Sequence, residues 1–126
     1  MDNHVTIALG ATALLYMASS AVVAQNAPLT YQADPSVYKV IFEDQNFRVI
    51  AGTWKAGATA DKPHSHPVPS VVYALTDCAF KLTSADGKTV NINPKARTAT
   101  AVPITASHTA MNIGATDCRS VFVERK

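Results

Sequence analysis

Three histidines carry most of the chemistry this chain offers: His64 and His66, separated by one residue, and His108 well downstream. Along an extended segment successive side chains point to opposite faces, so a His-x-His pair presents two imidazoles on one side of the strand. A third imidazole from a later strand completes one face of a metal site. Imidazole suits most of the candidate ions, Fe, Mn, Ni, Cu and Zn, and does not choose among them. With these histidines on a metal, no base remains to activate a Ser or Cys nucleophile, and neither cysteine adjoins a histidine. Catalysis, where there is any, runs through the ion as Lewis acid or oxygen activator. No further catalytic residue is assigned.

The elements that position such a site must come from a short chain. It has 126 residues, 48% of them apolar and 16% charged, which fits one domain with a single core. Eleven Lys and Arg against nine Asp and Glu are interspersed, which argues against a nucleic-acid partner. From Val5 to Val23 no residue is charged, and the run ends at small residues before Gln25. This predicts a signal peptide over 1–24, cleaved near Ala24, and a secreted or periplasmic protein. The alternative, supported by the absence of Lys or Arg in Met1–His4, is an uncleaved membrane anchor, because the run approaches the roughly 20 residues that span a bilayer.

Residues 25–36, with Pro28 and Pro35, read as a linker or N-terminal arm, and 37–126 as the domain. The domain reads as all-β. Val37–Glu43 and Phe47–Trp54 form a hairpin around Asp44-Gln45-Asn46, and a loop through Asp61-Lys62-Pro63 delivers the His-x-His. Further strands are expected over 70–76, 79–83, 89–92, 98–102, 108–113 and 119–124, with Asp86-Gly87 as a hairpin turn. Many short strands at regular spacing predict a sandwich or barrel. Cys78 and Cys118 would be able to pair in an oxidising compartment; two buried free thiols are the alternative.

Two stretches resemble the motifs of the cupin family. Gly57, His64 and His66 follow its first motif, with a gap one residue longer and Ser70 where the family has Glu. Pro103, His108 and Asn112 follow its second motif in register, with Thr105 in place of Gly. The resemblance, to a three-histidine variant lacking the first-motif Glu, implies a double-stranded β-helix, or jelly-roll barrel, with a divalent metal on His64, His66 and His108. Lacking a carboxylate until Asp77, such a site leaves the ion's charge uncompensated. The jelly-roll strand order also implies a disulfide between Cys78 and Cys118.

Ser70 and Asn112 are candidates for the surroundings of the ligands, Asn112 as a brace for the backbone. Trp54, Tyr73, Phe42 and Met111 are candidate pocket walls, the alternative being plain core positions. Asp61 reads as a turn cap, the alternative being a residue facing the mouth, and Arg48, Lys55 and Arg97 as solvated charges rather than anchors for an anionic substrate. By resemblance to three-histidine cupins that are dioxygenases, the expected function is Fe-type oxygenation of a small organic molecule. The alternative is a non-catalytic module of the cell envelope that binds a metal or small ligand. Pairing into a homodimer is expected by analogy alone.

Overall fold

In the computed structural model, which describes residues 26–126, the alternating segments become nine strands preceded by one helical turn. In chain order these are α1 (Thr30–Ala33), β1 (Tyr38–Glu43), β2 (Phe47–Trp54), β3 (His64–His66), β4 (Ser70–Ala74), β5 (Phe80–Ser84), β6 (Thr89–Ile92), β7 (Ala99–Val102), β8 (Thr105–Asn112) and β9 (Cys118–Arg125). The expected leader over 1–24, and the anchor that is its alternative, lie outside the described residues.

Every strand pair is antiparallel. The strands form a five-stranded sheet in the order β1-β2-β9-β4-β7 and a four-stranded sheet in the order β3-β8-β5-β6. Apart from the β1–β2 and β5–β6 hairpins, consecutive strands lie in different sheets, as in a jelly roll. Local chemistry makes the hairpins. Asp44 Oδ1 accepts from the backbone N–H groups of Asn46 and Phe47, both at 2.7 Å, and closes the β1–β2 turn. Gly87, at φ +83°, occupies the left-handed position in the β5–β6 turn.

Strict alternation on β9 sends Cys118, Ser120, Phe122 and Glu124 inward. On β2 the inward set includes Ile50, Gly52 and Trp54. The register aligns Ile50 with Phe122 and Phe122 with Val72, forming one apolar row across three strands. In the next row Gly52 makes room for an indole: a Cβ there would lie 2.6 Å from the Trp54 ring. Trp54 packs edge-on against Tyr38 and Phe80, with ring centroids 5.3 and 4.9 Å apart. Cys78, in the loop after β4, is bonded to Cys118 at the start of β9, with Cα atoms 5.3 Å apart.

One strand differs from its sequence reading. The strand carrying His108 begins at Thr105, because pairing with β3 gives residues 105–107 a partner that local propensity does not reveal. Residues 27–29 of the expected arm lie against β3 and β8, and α1 follows. Ala27 N–H donates to the Ala106 carbonyl (2.9 Å) and Ser65 N–H to the Pro28 carbonyl (2.8 Å), which covers an otherwise open sheet edge.

Candidate metal centre

Strands β3 and β8 lie side by side with His64 opposite His108. A register shift between His64 and His66 sets Thr105 opposite His66. The three rings meet, with centroid separations of 5.1 Å for His64–His66, 4.6 Å for His64–His108 and 5.0 Å for His66–His108. One nitrogen from each lies within 4.8 Å of the others. His64 and His66 are buried and His108 is half-buried.

The protonation of these rings favours a cation among them. Burial, reinforced by the neighbouring imidazoles of His64 and His108, depresses His66 to about 3. Burial and His64 depress His108 to about 4, against an opposing pull from Asp61. Both rings are therefore neutral at pH 7 and offer lone pairs. His64 Nδ1 lies 2.9 Å from the Lys62 carbonyl, which only accepts, so Nδ1 is the donor there and Nε2 faces Tyr38 Oη at 3.2 Å. His66 Nε2 and His108 Nε2 stand 3.0 Å apart. Stacking on Phe122, at 5.8 Å and 19° between planes, fixes the His66 ring, whose buried Nδ1 has no hydrogen-bond partner. Convergent imidazoles, His66 and His108 among them held neutral by burial, fit a divalent transition ion.

A carboxylate stands beside them after all. Asp61 is buried, not a solvent-facing turn cap: it accepts from Tyr38 Oη (2.7 Å), Trp54 Nε1 (3.0 Å) and Ala110 N–H (2.7 Å). Its Oδ1 is 3.6 Å from His64 Nδ1, close enough to offset part of a metal's charge without ligating it. Tyr38 Oη also lies 3.2 Å from His64 Nε2. Sequence reading named Asp61 for its turn rather than for this network, and passed over Tyr38. The available signal was that a Tyr and a Trp at inward strand positions each bring a polar atom that needs a buried acceptor.

The histidines face a cavity of about 470 Å³ walled by Val72, Phe80, Leu82, Val102 and Phe122. Among the described residues that line it there is no Lys, Arg, Asp or Glu. Trp54 lines it; Tyr73 does not, since alternation on β4 turns Val72 and Ala74 inward and leaves Tyr73 40% exposed. Ser70 is buried but sits in the row of Glu124 and Arg48, past the Phe122 row, and its Oγ is unpartnered. Phe42 is half exposed, and Met111 points away from the face shared by Ala110 and Asn112. Asn112 Nδ2 donates to the carbonyls of Trp54 (3.0 Å) and Thr116 (2.8 Å), while its Oδ1 accepts from Gly114 N–H (2.9 Å). Arg48 pairs with Glu43 and Glu124, Lys55 pairs with Asp117, and Arg97 is exposed.

No protein-family model matches the chain, and no curated protein matches it in sequence. Solved structures do match in fold. A cupin domain from Bordetella pertussis superposes with a TM-score of 0.65 at 18% identity, covering 82% of this chain and 99% of that one. A cupin-family protein with a double-stranded β-helix fold from Methanocaldococcus jannaschii gives 0.56 at 15% identity, covering 71% and 78%. A protein with a double-stranded β-helix domain from Klebsiella pneumoniae gives 0.55 at 20% identity, covering 71% and 75%. Two facing antiparallel sheets, the strand order and these likenesses together establish that residues 26–126 have the cupin double-stranded β-helix fold.

Proposed function

We propose that this chain is an exported metal-binding cupin whose His64, His66 and His108 hold a divalent transition ion, and that it oxygenates a small neutral organic molecule as an Fe-type dioxygenase. The observation that carries this reading is the meeting of three imidazoles within 4.8 Å against an apolar cavity of about 470 Å³. That volume is in the range of small-molecule pockets. When bound, a redox-active ion with open positions supplies oxygen activation and Lewis acidity.

The chain's own residues do the rest. His64 is held through its Nδ1–H on the Lys62 carbonyl, which leaves Nε2 as the nitrogen it can offer to an ion. Val72, Leu82 and Phe122 exclude water and bind apolar substrate surface. Among the described residues the cavity wall carries no Lys, Arg, Asp or Glu, which favours a neutral substrate, since an ionic one would be left without a partner. Export rests on the uncharged 5–23 run with its small-residue ending, and the Cys78–Cys118 disulfide suits an oxidising compartment. A homodimer through the outer face of the five-stranded sheet is supported by the exposed Val71, Tyr73 and Val123. Light scattering that returns only monomer mass would remove the dimer.

The second reading, a non-catalytic envelope module that binds metal or ligand, is favoured by one observation. Among the described residues, Tyr38 is the only titratable side chain besides the histidines that lines the cavity. Metal content by mass spectrometry on untagged protein, beside a folded His64→Ala, His108→Ala variant, tests the metal. Near-stoichiometric metal that disappears in the variant supports it, and no uptake of Fe, Mn, Ni, Cu or Zn removes it. Oxygen consumption by the iron-loaded protein with neutral phenols and diketones then separates dioxygenase from binding module.

A further inference from the structure

We propose that the substrate is a neutral amphiphile: its polar end meets the histidines, and a slender apolar chain leaves the cavity between β6 and β7 along Leu82, Ile92 and Val90. This rests on the functional reading above and names the class of molecule that the site takes.

The path follows from strand register. Two residues along β8 from His108, Ala110 stands opposite Leu82 on β5, and Leu82 stands opposite Val90 on β6. In the next row Asn112, Phe80 and Ile92 are aligned in the same way. Residues directly opposite, and residues two apart on one strand, share a face of a sheet. His108, Leu82, Val90 and Ile92 therefore all lie on the inward face, while Lys81 and Asn91 fall on the other. An apolar strip thus runs from the histidines to the last strand of the sheet, roughly 10 Å away at about 4.8 Å per strand.

That last strand is where the cavity opens. β6 ends the four-stranded sheet and β7 ends the five-stranded one. Both supply cavity wall, Ile92 from β6 and Thr100 and Val102 from β7. At this gap the wall reaches solvent: Ile92 is 38% exposed, and Asn93, Thr100 and Pro103, which also line the cavity, are exposed. Val90 lies just beyond, 56% exposed and on the same face as Leu82. Single exposed apolar side chains are ordinary on a protein surface, but these two continue a buried apolar wall in register. Hydrocarbon laid over them removes that surface from water. The polar residues at the mouth, Asn93 and Thr100, are uncharged and hold no ionic group there. With C–C bonds near 1.5 Å, an extended chain rises about 1.25 Å per carbon, so about eight carbons cover the strip.

The test is a binding series with the full protein, both metal-free and loaded with zinc, a redox-inert ion. Unbranched para-alkylphenols from ethyl to decyl, neutral at pH 7, are titrated by calorimetry, and zinc per chain is measured on the same samples. The expected result is one site per chain, with affinity rising about two- to fourfold per methylene and levelling off at about the octyl member. In Val90→Asp the ratio of octyl to ethyl affinity should fall tenfold or more, and in Val90→Ile it should hold. Circular dichroism confirms that both variants, altered at a solvent-facing position, keep the fold. A series flat beyond butyl in both metal states, or a ratio unmoved in Val90→Asp, overturns the chain path. A flat series from protein that runs as a dimer in light scattering also overturns it and assigns the strip to a second copy of the chain. A chain-length rise in protein that takes up no zinc leaves the path standing and removes the histidine site instead.

Discussion

His66 and His108, 42 residues apart in the chain, bring their Nε2 atoms to 3.0 Å of each other. That approach depends on β3 and β8 being neighbours in the four-stranded sheet, with His64 directly opposite His108. Two neutral imidazole nitrogens so close must share a proton or a cation, which ties the chemistry of the site to its protonation.

Acidification destabilises the metal-free protein in a defined window. His66 and His108 have folded values of about 3 and about 4 against a reference of 6.5, so between pH 6.5 and those values the unfolded chain binds more protons. Stability is therefore lost as pH falls through that range, by roughly 2–4 kcal/mol between pH 7 and pH 4 after discounting for partial solvent screening. Glu124, raised by burial, works in the opposite sense. Denaturant midpoints across this range, in wild type and in a His66→Gln, His108→Gln variant, check it: the variant should show the shallower slope.

Gly52→Ala should destabilise the fold by about 1–3 kcal/mol through overpacking. The new Cβ would stand 2.6 and 2.8 Å from two carbons of the Trp54 ring, which is held between Tyr38 and Phe80 and has nowhere to retreat. Moving that ring also strains its hydrogen bond to Asp61. Thermal unfolding with tryptophan fluorescence reads both effects, and an unchanged midpoint would contradict the packing described.

Asn112→Ala should lower stability by about 2–3 kcal/mol, because two backbone carbonyls and one N–H lose their partner in or near the core. Metal stoichiometry should be unchanged, since Asn112 is not among the residues that line the cavity. Metal analysis alongside urea unfolding distinguishes this brace from a ligand: loss of metal from folded Asn112→Ala protein would make it part of the site.

Replacing both cysteines with serine should cost about 4 kcal/mol by the chain-entropy argument for a loop of this length, the residues being 40 apart. The unfolded, unreduced wild-type protein should show no reactive thiol. Two titratable thiols in that sample would remove the crosslink.

Much of the architecture was legible because a strand half-buried in a sandwich writes its own alternation. Phe47–Trp54 and 119–124 read as strands for that reason, and Asp44 and Asp86-Gly87 marked their hairpins by local chemistry. The His-x-His pair and His108 were likewise visible as residue types at telling spacings. Less visible were strands defined by their partner: residues 105–107 are extended because β3 pairs with them, and the turn at Thr30–Ala33 accompanies an arm laid along that same edge.

The sequence by itself therefore determined which segments alternate, which residues are able to bind a metal and which face of each strand is apolar, because these follow from side-chain identity and the two-residue period. Only the tertiary structure decided how those faces align across strands. One step of register puts Val72 in the cavity and Tyr73 outside, and two steps carry Ser70 to the row of Glu124. The same long-range packing brings Tyr38, Trp54, Asp61 and His64 into one buried network. Their hydrogen bonds join residues on separate elements, and nothing in the local sequence around any one of them names its partner.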